Sequence, residues 1–225
     1  MPPPTLLLCS ASPRRRDLLS GLGLQFEVLA PHLDEARRPG EPLDGLAERL
    51  AREKALAGLA LFRARAGGTP SAEPAPAGPV LALAADTVVT LDGEELGKPR
   101  DRDHARGLLA RLSGRTHQVT TGVCVVASGA GVGGDALTSC SVHTAVRFRA
   151  IGSDALSWLA STGDGDDKAG GYGVQGLAGA FIDRLEGSFT NVVGLPLTET
   201  LALLEAAGLS LPWSPRGRAG SGAQR

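Results

Sequence analysis

Several large classes of protein depend on residues that this sequence has little of. Cysteine occurs only at positions 9, 124 and 140, with no C-x-x-C pair. An odd and scattered set argues against a disulfide framework, and Cys9 and Cys124 stand in apolar runs as buried free thiols do. A reducing compartment, the cytoplasm, is the expected home. No apolar run approaches the length that spans a bilayer. Leu6-Leu7-Leu8 is too short for a secretory h-region and has no basic flank, so neither a membrane partner nor a secretory leader is expected. Positive charge is not in excess: Lys and Arg number 23 against 24 Asp and Glu. That balance argues against a nucleic-acid polymer as partner, since such a partner demands a basic surface.

Familiar catalytic motifs are missing too. There is no G-x-S-x-G elbow, no H-E-x-x-H, and no G-x-G-x-x-G that follows a strand and opens a helix, and the four histidines are scattered. The spacing from Gly93 to Gly97-Lys98 falls one residue short of a P-loop and lacks its Ser/Thr. Serine hydrolase, zincin and Rossmann dehydrogenase readings lose support.

What is present is an alternation of strand and helix patterns over 225 residues, enough for one large domain or two small lobes. An apolar strand at 5–8 leads to Ser10-Ala11-Ser12-Pro13-Arg14-Arg15-Arg16. Ser12 suits an N-cap and Pro13 the first helical position, with the helix running to Gly23. Phe26 to Leu29 reads as a strand. Leu43 to Arg65 is helical by the spacing of Leu43, Leu46, Ala47, Leu50 and Ala57. Residues 67–79 form a Pro/Gly-rich connection. Val80 to Leu91 is an apolar strand region, broken in its middle by Asp86, and Asp92-Gly93 forms a hairpin turn. Asp101 caps a helix that ends before Gly114. Strands at 117–127 and 137–148, joined by a Gly-rich insertion at 128–136, imply antiparallel pairing. Ser153 caps a short helix, Ala180 to Leu185 is a strand, and Leu197 to Ala207 the last helix. Residues 212–225 read as a disordered tail. The fold class is α/β with a mixed twisted sheet and flanking helices.

Four places in this pattern can carry chemistry. The first is the arginine-led helix start. Free N–H groups at a helix N-terminus attract anions, and placing Arg14 and Arg15 against the helix dipole costs stability that a polyanion site explains. A solvated basic turn is the plain alternative, and Arg16 fits it. The second is Asp86, a lone carboxylate in an apolar stretch, where it is costly unless paired, hydrogen-bonded or metal-bound. It suits a base that takes a proton from water, or a ligand for a divalent cation. Asp34-Glu35 is of interest only as a second oxygen donor near Asp86. The third is Lys98 in the constrained Gly97-Lys98-Pro99 turn, while Lys54 in mid-helix reads as solvated. The fourth is the loop Asp167 to Gly176, where Gln175 can donate to and accept from a base edge and Tyr172, the one tyrosine, can pack or stack. Asp164, Asp166 and Asp167 lack the calcium-loop pattern and read as solvated.

Taken together, Ser10-Ala11-Ser12-Pro13-Arg14-Arg15, Asp34-Glu35, Ala85-Asp86-Thr87-Val88-Val89, Gly97-Lys98-Pro99 and Leu112-Ser113-Gly114 resemble, in order, the motifs of the Maf family. Asp167-Lys168-Ala169-Gly170, Tyr172-Gly173-Val174-Gln175-Gly176 and Asn191-Val192-Val193-Gly194-Leu195-Pro196 complete the resemblance, which runs from Thr5 to about Leu209. It implies one nucleotide pyrophosphatase domain over 1–211, with two lobes around a cleft as in the inosine triphosphatase-like fold, and frequent homodimers. It implies hydrolysis of nucleoside triphosphates between the α- and β-phosphates with Mg²⁺ or Mn²⁺. The proton acceptor is then Asp86, with Glu35 in the metal-assisted centre. Arg14, Arg15, Lys54 and Lys98 then hold the triphosphate, with Ser12 beside them, and Arg14, Thr87 and Gln175 bear on base selectivity. The Tyr-Gly-Val-Gln-Gly form resembles the branch acting on dTTP and UTP. Cys9 and Ala85 depart from the Ala and Gly usual in the family. A non-catalytic nucleotide-binding regulator of cell division, or the same chemistry on a modified nucleotide, remains the rival reading.

Overall fold

A computed structural model describes residues 2–66, 78–129 and 134–214. Most of the expected connection at 67–79, the middle of the insertion at 128–136 and most of the tail at 212–225 lie outside the described residues.

The chain runs β1 (Thr5–Leu8), α1 (Pro13–Gly21), β2 (Glu27–Val28), α2 (Leu43–Ala66), β3 (Val80–Leu91), β4 (Glu94–Glu95) and α3 (Arg102–Leu112). It continues through β5 (Thr116–Ser128), β6 (Ala136–Phe148), α4 (Ser153–Thr162), β7 (Ile182–Glu186), α5 (Phe189–Val193) and α6 (Leu197–Ala206). Two short 3₁₀ turns at Ala169–Gly171 and Leu177–Phe181 flank the Gln175 loop. The strands make one seven-stranded sheet in the order β2-β1-β3-β5-β6-β7, with β4 folded back on β3. β1 lies parallel to β2 and β3, and every other pairing is antiparallel, so the sheet is mixed as expected.

β3 and β5 read as nearly continuous apolar runs because both of their faces are covered. On one face Leu81, Leu83, Ala85, Val123 and Val125 pack with Leu19 and Leu204. On the other, Ala82, Ala84, Cys124 and Val126 meet Ala51, Ala55 and Leu59 of α2. A third cluster joins Leu108, Leu109 and Leu112 of α3 to Leu156 and Leu159 of α4 and to Val119, Val146, Phe148 and Tyr172. Small residues let α2 lie close to the sheet. A Cβ added to Gly122 would fall 2.4 Å from the Ala47 backbone carbonyl. α2 carries Lys54, so this contact fixes the height of that side chain above Asp86.

Several local expectations are corrected. β3 runs unbroken through Asp86, which pairs with Gly122 across the ladder, because extended backbone tolerates any residue whose side chain finds a partner. β2 spans only two residues. α4 has Gly152, not Ser153, at its N-cap, and no side chain caps it. Ser12 is the N-cap of α1 by backbone conformation, yet its hydroxyl makes no cap hydrogen bond. α5 had no counterpart in the sequence reading. Among the described residues no helix is long and apolar enough to cross a membrane.

Candidate active site

The C-terminal end of β1 and the middle of β3 open into a cavity of about 780 Å³. Its walls come from the β1–α1 turn, α2, the β3–β4 hairpin, the 164–176 loop and the end of α5. Ser12, Arg14, Arg15, Glu35, Lys54, Asp86, Thr87, Lys98 and Gln175 all line it, so the structure brings every sequence-derived candidate to one place. Arg16 is exposed and outside this lining, as its plain reading requires.

Asp86 is 8% exposed, and its Oδ1 accepts from Lys54 Nζ at 2.5 Å. The same ammonium lies 2.6 Å from Glu35 Oε1. Lys54 is therefore no solvated helix lysine: it is 9% exposed and bridges the two carboxylates. The signal was available, since Lys54 continues the buried stripe Leu46–Leu50 at four-residue spacing. Burial would raise the Glu35 carboxyl, but the Lys54 hydrogen bond and charge, helped by Lys98 and Arg15, hold it below its ordinary value.

Arg15 is buried beneath this pair. Its Nε donates to the Gly194 carbonyl at 2.7 Å, one Nη to Ser10 Oγ at 3.1 Å and the other to Thr87 Oγ1 at 3.1 Å. A guanidinium carries five N–H groups, so one hydrogen on each terminal nitrogen is left over for a ligand. Burial draws the Arg15 pKa down while Asp86 opposes the shift. Gly194 adopts φ +117, which lets its carbonyl turn toward Arg15. Behind Thr87, the Thr121 hydroxyl lies 2.9 Å from Thr87 Oγ1 and donates to the Asn191 carbonyl at 3.0 Å. Asn191 in turn donates through Nδ2 to the Val119 carbonyl and to Thr144 Oγ1. Sequence reasoning missed Thr121 because its role appears only once the register sets it opposite Thr87.

Arg14 is partly exposed and donates to Asp167 Oδ2 at 3.1 Å. Asp167 also accepts from Lys168 at 2.6 Å, and Asp164 Oδ2 accepts from the Leu177 N–H at 3.1 Å. Asp164, half-buried, thus holds structure, which corrects its reading as solvated, while Asp167 stays exposed as expected and is paired. Burial would raise the Asp167 carboxyl, but the Lys168 and Arg14 contacts keep it below its usual value. Lys98 is exposed, with no carboxylate in ion-pair range among the described residues. Gln175 is exposed and lines the same cavity.

Tyr172 packs; its ring is not offered for stacking. It is 5% exposed, sits edge-on to Phe148 and His117, and its hydroxyl is 2.6 Å from His117 Nε2. Burial raises the phenol and draws His117 down to about 4.

The cavity lining carries Arg14, Arg15, Lys54, Lys98 and Lys168 against Glu35, Glu95, Asp86, Asp164 and Asp167. These charges balance. Chemically, the arrangement can anchor an anion on Arg15, Lys98 and Arg14, and it presents one buried carboxylate held at a fixed angle by an ammonium.

The sequence matches the family described as Maf-like protein over residues 5–207. It is 48% identical over 215 residues to a dTTP/UTP pyrophosphatase of Anaeromyxobacter sp. (strain Fw109-5), covering 94% of each chain. It is 48% identical over 208 residues to the dTTP/UTP pyrophosphatase of Myxococcus xanthus, covering 92% of this chain and 95% of that one. It is 43% identical over 200 residues to the dTTP/UTP pyrophosphatase of Escherichia coli (strain UTI89 / UPEC), covering 89% and 91%.

Proposed function

The chain belongs to the Maf family, and from that premise we propose that it hydrolyses nucleoside triphosphates, dTTP and UTP first among them, to a monophosphate and pyrophosphate. The observation that carries this reading is the Lys54 bridge between Asp86 and Glu35, set in the same cavity that Arg14, Arg15 and Lys98 enter.

In this reading Asp86 takes a proton from a water aimed at the α-phosphorus. The new P–O bond forms from that water as the bond to the bridging oxygen breaks, and pyrophosphate departs with the bond's electron pair. Lys54 holds Asp86 in orientation. Arg15, rigid in its cradle of Gly194, Ser10 and Thr87, donates to the phosphates with its spare hydrogens, so little reorganisation accompanies charge transfer to the leaving group. Lys98 and Arg14 add donors from separate segments, beside the N–H groups that follow Ser12. Gln175, with Arg14, faces the base, and Thr87 bears on selectivity through its contact with Arg15.

A divalent cation fits this donor set. Glu35 and Asp86 offer hard oxygen ligands beside one another. Among the described residues no group of three or more His, Cys, Asp or Glu side chains is arranged to hold a metal. Two carboxylates are the usual protein share for Mg²⁺ when substrate phosphates supply the rest. The balanced charge of the lining is the stronger argument, because a triphosphate entering it needs further positive charge. When bound by Glu35 and Asp86, Mg²⁺ or Mn²⁺ would neutralise phosphate charge.

The reading extends to a cytoplasmic homodimer. Three unpaired thiols, two of them buried, support a reducing compartment. The family resemblance supports the dimer, and the near-neutral chain supports a nucleotide ligand over a nucleic-acid polymer. The test is product analysis with dTTP, UTP and the other triphosphates in the presence of Mg²⁺. Pyrophosphate release with dTTP and UTP preferred is expected. Orthophosphate release rejects the reading, and binding without any product favours a nucleotide-dependent regulator.

A further inference from the structure

Arg14, on α1, and Gln175, in the 164–176 loop, line the same cavity, and one short chain of polar contacts ties them together. Asp167 is 153 positions from Arg14 and accepts from its Nη1 at 3.1 Å. The other oxygen of Asp167 accepts from Lys168 Nζ at 2.6 Å. That ammonium also donates to the Asp164 carbonyl, and the Lys168 stem crosses directly over Gly173, where an added Cβ would fall 2.8 Å from Lys168 Cε. Asp164 closes the far end. Its Oδ2 accepts from the Leu177 N–H at 3.1 Å, and a Cβ on Gly176 would lie 2.0 Å from that oxygen. Gln175 thus sits in a loop pinned on both sides, and Asp167 connects that pinned loop to Arg14.

We propose that Asp167 is a positioning residue for base selection: it fixes the Arg14 guanidinium relative to the Gln175 loop, so that the two groups read a nucleobase at one set distance. This rests on the reading of the cavity as a nucleoside triphosphate site. An arginine side chain left free samples many rotamers, and a carboxylate on a neighbouring segment removes most of them before the ligand arrives. One Nη edge of Arg14 is taken by Asp167, which leaves its other donors to face the cavity. With Arg14 at 30% and Asp167 at 62% side-chain exposure, the pair contributes little to folding, as suits an element that tunes ligand choice.

The test compares wild type with Asp167→Asn and Asp167→Glu, measuring kcat and KM for dTTP, UTP, CTP and GTP. Asp167→Asn is expected to narrow the preference for dTTP and UTP over CTP and GTP by about fivefold, the most that a part-exposed ion pair supplies. The change should fall on KM, with kcat for dTTP and the melting temperature held, and Asp167→Glu should restore much of the preference. Unchanged ratios overturn the proposal. So does an equal loss on all four nucleotides with a lowered melting temperature, which marks a structural role. A uniform gain in affinity that extends to inorganic triphosphate also overturns it, because Asp167 would then act only as a counter-charge. Calorimetric binding of α,β-methylene analogues of thymidine and cytidine triphosphates gives the same ratio without turnover. A wild type that binds these selectively but releases no pyrophosphate rejects the proposed reaction and still tests Asp167.

Discussion

Lys54 and Asp86 meet at 2.5 Å from α2 and β3, each with a side chain about 11% exposed, and Glu35 shares the same ammonium at 2.6 Å. This makes Lys54 the hinge of the site's chemistry and of its stability. Removing one member of such a pair leaves a charge with little water to solvate it. Lys54→Met should lower unfolding free energy by about 3 kcal/mol. The double change Lys54→Met with Asp86→Asn should recover a good part of that loss, as urea denaturation of the four proteins would report. A double mutant less stable than Lys54→Met alone would show that the pair is not the cause.

Asp86→Asn keeps the shape of the side chain and removes its capacity to take a proton. Turnover should drop by at least about a hundredfold, the lower range for a general base. Affinity for a non-hydrolysed triphosphate should change little, because Arg15, Lys98 and Arg14 remain. Rapid-quench kinetics with calorimetry separates the two quantities. Near-normal pyrophosphate release from the variant removes Asp86 from the mechanism.

His117 gives the protein a pH-dependent stability away from the cavity's reacting groups. Burial lowers its pKa from 6.5 to about 4, so above 6.5 the folded and unfolded chains both hold it neutral. Between 6.5 and 4 the unfolded chain takes up a proton that the folded chain refuses, and stability falls as pH falls. Below 4 the difference stays constant. The full effect is about 3 kcal/mol. His117→Gln keeps a partner for the Tyr172 hydroxyl and should flatten the stability profile across this window. Identical slopes for wild type and variant would contradict the assignment.

Gly122 sets how closely α2 approaches the sheet. A methyl group there meets the Ala47 backbone at 2.4 Å, where no side chain can yield. Gly122→Ala should cost about 1–3 kcal/mol and shift α2, moving Lys54 relative to Asp86. Both the melting temperature and kcat should fall, while Gly107→Ala on the open face of α3 should leave kcat unchanged and raise the melting temperature slightly.

Long elements were legible in the sequence because their apolar residues repeat at one period. The spacing of Leu43, Leu46, Ala47 and Leu50 specifies α2, and the runs 80–91 and 117–127 specify β3 and β5. Asp86 stood out because it interrupts such a run. The same logic should have marked Lys54, which continues the α2 stripe, yet a lone lysine in a charged helix reads as solvated until its partner is located. α5 was invisible because five residues hold little more than one turn; only Ser188, capping the Asn191 N–H, marks its start. Thr121, Asn191 and Asp167 act across separations of 34 to 153 residues, so their roles depend on strand register and loop placement that composition does not carry.

Isotope placement tests the central claim, water attack at the α-phosphorus promoted by Asp86, most directly. Hydrolysis of dTTP in ¹⁸O-labelled water with Mg²⁺, followed by mass analysis of both products, should put the label in the monophosphate and none in the pyrophosphate. Label in the pyrophosphate, or in released orthophosphate, would contradict it.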